Sequence, residues 1–120
     1  MEKRVRLIKH QGHSIMVIDL SHCTPAEIIP LADEIQHRVA EHPHNSVLIF
    51  ADFTGIQIDK ATAMRLKEVL AMDRPYVKRS AWVGTESLPH VFYEHFKSFS
   101  QRDLPVFKTR EEAMEWLVQD

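Results

Sequence analysis

Val47-Leu48-Ile49-Phe50-Ala51 is the stretch that most constrains what this chain can fold into. Five consecutive apolar residues leave no polar face, and the run is too short for a surface helix, so it predicts a strand covered on both sides. Asp52 ends the run, Gly55 supplies a turn, and Asp59 stands at the N-cap position of a helical pattern at Ala63, Leu66, Val69 and Leu70. Strand, polar bend and capped helix make half of a βαβ unit. The loop at the carboxyl end of such a strand is where ligands and partners are usually met, so function is sought between Asp52 and Thr62.

A chain of 120 residues buries roughly two-thirds of its unfolded surface, which suffices for one core, and a single domain over residues 1–120 is expected. The net charge of -2, with signs interspersed, offers no field for nucleic acid or an anionic membrane. Cys23 is the sole cysteine, which rules out an intramolecular disulfide and suits a reducing compartment. The opening MEKRVRLIKHQ has no apolar core of a signal peptide, and no window approaches a membrane span, so a cytoplasmic location is expected.

Around the central unit the other elements follow in order. Arg4–His10 and Ser14–Leu20 form two runs split by a Gly-containing loop, which predicts an antiparallel hairpin at the sheet edge. Thr24-Pro25-Ala26-Glu27 matches a capping box with proline in the first turn, and Ile28, Leu31, Ile35 and Val39 form the buried stripe of the helix it opens. Pro30 breaks the backbone pattern, so either a separate first turn or a helix starting near Pro30 is expected. Ser80–Gly84 reads as the next strand. A third helix is predicted from about Ser87, with Leu88, Phe92, Phe96 and Phe99 inward, Val91 and His95 widening the stripe, and Tyr93 off it. Leu104–Phe107 contains a proline and suits an edge strand, and Thr109–Glu112 caps a last helix carrying Ala113, Trp116 and Leu117. The predicted order is ββαβαβαβα: an α/β domain with a mixed sheet of about five strands and four helices, antiparallel in the first hairpin and largely parallel afterwards.

Ala51-Asp-Phe-Thr-Gly-Ile56, Ile58-Asp59, Ala81-Trp-Val-Gly84 and Phe107-Lys-Thr-Arg-Glu-Glu-Ala113 in this order resemble the STAS superfamily, and within it the SpoIIAA-like branch that is also compared with lipid-carrying SEC14 domains. The resemblance implies a non-enzymatic regulatory module that works through a protein partner, with a homodimer as a further expectation. Members that antagonise anti-sigma factors carry a phosphorylatable serine directly after the aspartate that opens the second helix. Here Lys60 follows Asp59, then Ala61 and Thr62. Lysine accepts no phosphate, so that switch is not carried over.

Two sets of residues are candidates for binding. Asp52, Thr54, Asp59, Lys60, Thr62 and Thr85 are expected near the carboxyl edge of the parallel strands as a polar patch. Turn and cap chemistry accounts for the same residues without a ligand. Met64, Met72, Trp82, Phe92, Tyr93 and Phe96 could line a pocket for a small hydrophobic molecule between the second and third helices, although helical spacing of aromatics is also what a core requires. Asp33 with His37 and His90 with Glu94 stand four apart, but two ligands make no metal site, and no metal or cofactor is expected. Cys23 beside His22 and Asp19 matches no nucleophile signature, so no catalytic residues are assigned.

Overall fold

The structure, a computed structural model, describes residues 3–119. Among these, β1 (Val5–His10), β2 (His13–Asp19), β3 (Val47–Asp52) and β4 (Val77–Val83) form one sheet in the order β1-β2-β3-β4. The first pair is antiparallel through a two-residue turn at Gln11-Gly12, and β2–β3 and β3–β4 are parallel. The helices are α1 (Pro25–Ala40), α2 (Lys60–Asp73), α3 (His90–Ser100) and α4 (Arg110–Leu117).

The oily run from Val47 to Ala51 lies inside the sheet with every residue at most 7% exposed. Alternate residues serve two cores, as a two-sided strand requires. Val47, Ile49 and Ala51 join Ile18, Ile35, Leu66, Val69, Trp82 and Phe96 beneath α1, α2 and α3. Leu48 and Phe50 join Ile15, Val17, Ala81, Ala113 and Leu117 beneath α4, which covers the opposite face alone.

Three prolines correct the expected element bounds, each for its own reason. The fifth strand is absent: Leu104–Phe107 contributes a single parallel bridge, Val106 to Trp82, because Pro105 has no N–H with which to continue a ladder. The bridge is closed by Trp82 N–H to the Pro105 carbonyl (3.0 Å) and Phe107 N–H to the Trp82 carbonyl (2.8 Å). The third helix begins at His90, not near Ser87, because Pro89 drives Leu88 into extended backbone (ψ 119°) after a single 3₁₀ turn over Thr85–Ser87. Pro30, by contrast, lies inside an unbroken α1. It sits on the exposed face, while Ile28, Leu31 and Ala32 on either side are held in the core. At the start of that helix the Glu27 carboxylate accepts from the Thr24 N–H and hydroxyl, both at 3.0 Å.

The rotation of α3 also differs from the predicted stripe. Phe96 and Ser100 are buried, with Phe92 and Tyr93 half-buried beside them, whereas Phe99 (52%), Val91 (54%) and His95 are exposed. Tyr93 therefore belongs to the inward face: its ring lies 6.0 Å from that of Trp82 and its hydroxyl donates to the Leu104 carbonyl at 2.7 Å.

Candidate functional site

At the carboxyl edge of the parallel strands, Asp19 of β2 and Asp52 of β3 are register partners, and each ends its strand with the same device. Asp52 Oδ1 accepts from the Thr54 N–H (2.9 Å) and hydroxyl (2.7 Å), and Asp19 Oδ1 accepts from the Ser21 N–H (2.9 Å) and hydroxyl. A short carboxylate that captures donors two residues ahead turns the backbone without a helix or ladder. The sequence signal for the second turn, Asp-x-Ser directly after an apolar strand, was present at Asp19-Leu20-Ser21 and pairs with Asp52-Phe53-Thr54.

These loops interlock. The His22 N–H donates to the Thr54 carbonyl (2.8 Å), the Gln57 N–H to the Cys23 carbonyl (2.8 Å), and the Gly55 N–H to Ser87 Oγ (2.8 Å). Gly84 (φ +72°) is packed so closely that a Cβ there would lie 2.2 Å from Thr54 Oγ1 and 2.6 Å from its backbone nitrogen. Gly55 (φ +69°) is closed off in the same way by the His22 ring, 2.3 Å from where its Cβ would be. Of the predicted polar patch, Asp52, Thr54 and Thr85 thus lie on loops joined by Gly84 and Ser87, and the Thr85 carbonyl accepts from Leu88. His22, Gly84 and Ser87 belong to the same surface without a local signal, because contacts between residues tens of positions apart leave no local pattern, whereas Ser21 is marked by the Asp-x-Ser turn. Arg4 braces the edge from below, with Nη1 on the Asp19 and Ser21 carbonyls (3.1 and 3.0 Å) and Nη2 3.5 Å from Glu27.

Asp59 and Thr62 are placed as a reciprocal cap. Asp59 Oδ1 accepts from the Thr62 N–H and hydroxyl (both 2.8 Å), and the Asp59 N–H donates to Thr62 Oγ1 (3.0 Å). The Thr62 N–H beside it holds the Asp59 carboxyl below its ordinary value. Thr62 is 2% exposed, so its hydroxyl is enclosed. Lys60, by contrast, is exposed and forms no ion pair among the described residues. It opens a groove of about 350 Å³ between α2 and α3, floored by Ala63, Phe92 and Phe96 and edged by Met64, Lys67 and His95. Met64 is 52% exposed, and Lys67 lies over the exposed Phe99 ring at 4.6 Å.

The predicted hydrophobic pocket does not assemble as a unit. Trp82 and Phe96 line an interior cavity of about 40 Å³, but Met64 and Met72 project outward, and Phe92 faces the groove. That cavity has one polar end, made of Asp73, Ser80 and Arg102. Asp73 is 3% exposed and has no hydrogen-bond partner for its carboxylate among the described residues, so burial raises its pKa from 3.8 to about 7. Arg102 donates to the Leu70 carbonyl (3.2 Å) and to Ser80 Oγ, and burial lowers its pKa to about 10.

The remaining polar candidates are engaged elsewhere. Asp33 pairs with Arg65 at 2.7 Å while His37 meets the Asp33 carbonyl, and His90 lies 3.5 Å from Glu94. Among the described residues no three of His, Cys, Asp and Glu approach closely enough to hold a metal ion. Cys23 is fully buried, and desolvation pushes its thiol up, away from the reactive thiolate. The hydroxyls of Ser21, Thr54 and Thr62 all donate to carboxylates that already serve turns or a cap.

No family profile matches this sequence, and no curated protein does. Among solved structures, the chain is similar to an anti-sigma-factor antagonist (STAS) domain protein from Planctomyces limnophilus, with a TM-score of 0.61 over 96% of this chain and 98% of that one, at 12% sequence identity. No helix among the described residues is long and apolar enough to cross a membrane. A four-stranded mixed sheet, three helices on one face and a closing helix on the other, superposed over nearly its whole length on that protein, make this a STAS-like fold.

Proposed function

We propose that this chain is a non-enzymatic regulatory module that binds another protein through the start of α2 and the groove between α2 and α3. The observation that carries the reading is the groove itself: an apolar floor with an exposed methionine, edged by Lys60 and Lys67, neither of which forms an ion pair among the described residues. An exposed apolar strip with unbalanced charge at its rim suits a partner segment that brings both apolar side chains and carboxylates. The similar solved structure is described as an anti-sigma-factor antagonist, a protein whose counterpart is another protein, which supports the same class of action. The phosphate switch is absent from the proposal, because Lys60 occupies the position after the cap and Thr62 is enclosed by it. A homodimer at this groove would set Lys60 and Lys67 of one copy near the same cations of the other, which a twofold contact penalises.

The alternative, a carrier or sensor of a small hydrophobic molecule held near α2 and α3, has less support. The interior cavity of about 40 Å³ has room for roughly two or three waters, and the α2–α3 groove of about 350 Å³, which Met64, Phe92 and Phe96 line, is of ligand size but open to solvent. The test is affinity capture with the wild-type chain against a K60E/K67E variant, with bound proteins quantified by mass spectrometry and melting temperatures compared. The expected result is a protein retained by the wild type and lost from a variant that melts within a degree or two of it. Retention of the same protein by both removes this surface from the reading.

A further inference from the structure

Four cations of this net-negative chain gather at the opposite edge of the sheet from the polar loops. Arg74 after α2, Lys78 and Arg79 at the start of β4, and Arg102 after α3 line one surface pocket of about 380 Å³, with Ser80 at its base and Trp116 of α4 as its wall. Asp103 is the single carboxylate in the lining, and none of the four cations forms an ion pair among the described residues, although Asp73, at the polar end of the interior cavity, acts electrostatically on Arg102 from the inner side. Two of the four are fixed in place. Arg79 Nη1 donates to the Trp116, Leu117 and Gln119 carbonyls, capping the carboxyl end of α4, and its guanidinium stands 5.7 Å from the Trp116 ring. Arg102 is held by the Leu70 carbonyl and Ser80 Oγ. A guanidinium has five N–H donors, so each retains donors beyond those bonds. Arg74 and Lys78 are exposed at the mouth.

Like charges gathered in one concavity repel each other, an arrangement that an anion relieves. The geometry points to a binding site for a small phosphate-bearing anion in this pocket, with Arg79 and Arg102 as preset donors and Arg74 and Lys78 closing over the charge. A pocket of this volume matches a small ligand, and only four cations in a cup do not make the long basic stripe that a nucleic acid follows. The site shares no residue with the α2–α3 groove, so it stands or falls independently of the partner proposed there.

The chain contains two tryptophans, Trp116 in this wall and Trp82 in the core, so their indole N–H signals in a ¹H–¹⁵N spectrum report the two places separately. Titration with inorganic pyrophosphate in phosphate-free, low-salt buffer is expected to move the Trp116 signal saturably, with half-saturation at or below about 1 mM, and to leave Trp82 in place. R74E/K78E should weaken this by about tenfold or more with the spectrum otherwise retained, and K60E/K67E should leave it unchanged. The same variant dependence with vesicles containing phosphatidic acid, at higher affinity than pyrophosphate, would assign the phosphate to a lipid headgroup. Shifts that never saturate, or that survive R74E/K78E, overturn the site. Single-stranded oligonucleotides whose affinity grows with length would overturn it too, replacing a cup with an extended surface.

Discussion

Replacing Asp73 by asparagine should make this protein more stable at pH 8 and remove part of its pH dependence. Asp73 is the last residue of α2, 3% exposed, at the polar end of an otherwise apolar cavity. Its carboxylate suffers desolvation and stands at the negative end of the helix dipole. Arg102 and Arg65 offset this only in part, so the folded-state pKa is about 7 against an ordinary 3.8. An acid whose folded pKa is raised binds more protons in the native state than in the unfolded chain. Its destabilisation is absent below about pH 4, grows as pH rises between 3.8 and about 7, and is complete above that. At about 1.4 kcal/mol per pH unit the full gap is somewhat more than 4 kcal/mol, and relaxation around the buried charge brings the expected effect to about 2 to 4 kcal/mol. Asparagine keeps the shape and carries no charge. Urea unfolding at pH 5, 6, 7 and 8 should therefore show D73N gaining on the wild type at each step up to about pH 7 and then holding a constant lead. Parallel profiles, or a D73N variant less stable than the wild type at pH 8, would mean that Arg102 pairs with the carboxylate well enough to compensate its burial, and the reasoning would fail.

Two further outcomes follow from the loop geometry. Gly84→Ala drives a Cβ into the Thr54 backbone at positive φ and should destabilise by about 3 kcal/mol or more, whereas Gly12→Ala, with nothing within 4 Å, should cost about 1 kcal/mol from its φ alone; equal costs in urea unfolding would show that the loops yield freely. Asp59→Ala removes the α2 cap and should lower the melting temperature by roughly 5 °C at neutral pH. Because the folded-state pKa of Asp59 is depressed, that difference should be full above the ordinary value of 3.8 and shrink as pH falls below it, so a difference that persists undiminished at pH 2 would assign the loss to something other than the carboxylate.

The clustering of the polar loops has a mechanical consequence for the proposed contact surface. Asp52, Thr54, Gly55 and Ser87 are joined by hydrogen bonds across 32 residues of chain, and the α2 cap follows four residues after Gly55. A partner seated on Lys60 and Met64 therefore meets a surface whose approach loop is already ordered, which limits the conformational entropy lost on binding.

What was legible in advance follows the range of the physics involved. The two-sided strand at Val47–Ala51, the cap at Asp59, the Thr24 and Thr109 helix starts and the parallel order rest on adjacent residues and short periods, and all are found in the structure. The prolines show where such reasoning stops. Pro105 reduced an expected edge strand to one bridge and Pro89 delayed the start of α3, since a missing N–H and a steric bar at the preceding residue act whatever the packing. Pro30 was tolerated because the buried residues on both sides hold the helix against the loss of one backbone bond.

Sequence alone determined the four helices, the four strands of the sheet with their order, and the residue that opens α2, because caps, alternation and helical period are properties of a few consecutive side chains. It did not determine the loss of the expected fifth strand. Tertiary structure decided that Phe99 points to solvent and Tyr93 inward, that Gly84 meets Thr54, and that Arg74, Arg79, Arg102 and Trp116 share one pocket. Those outcomes depend on the rotation of each helix over the sheet and on which loops its register brings together. They are set by burial summed over the whole core, to which no single window of the chain has access.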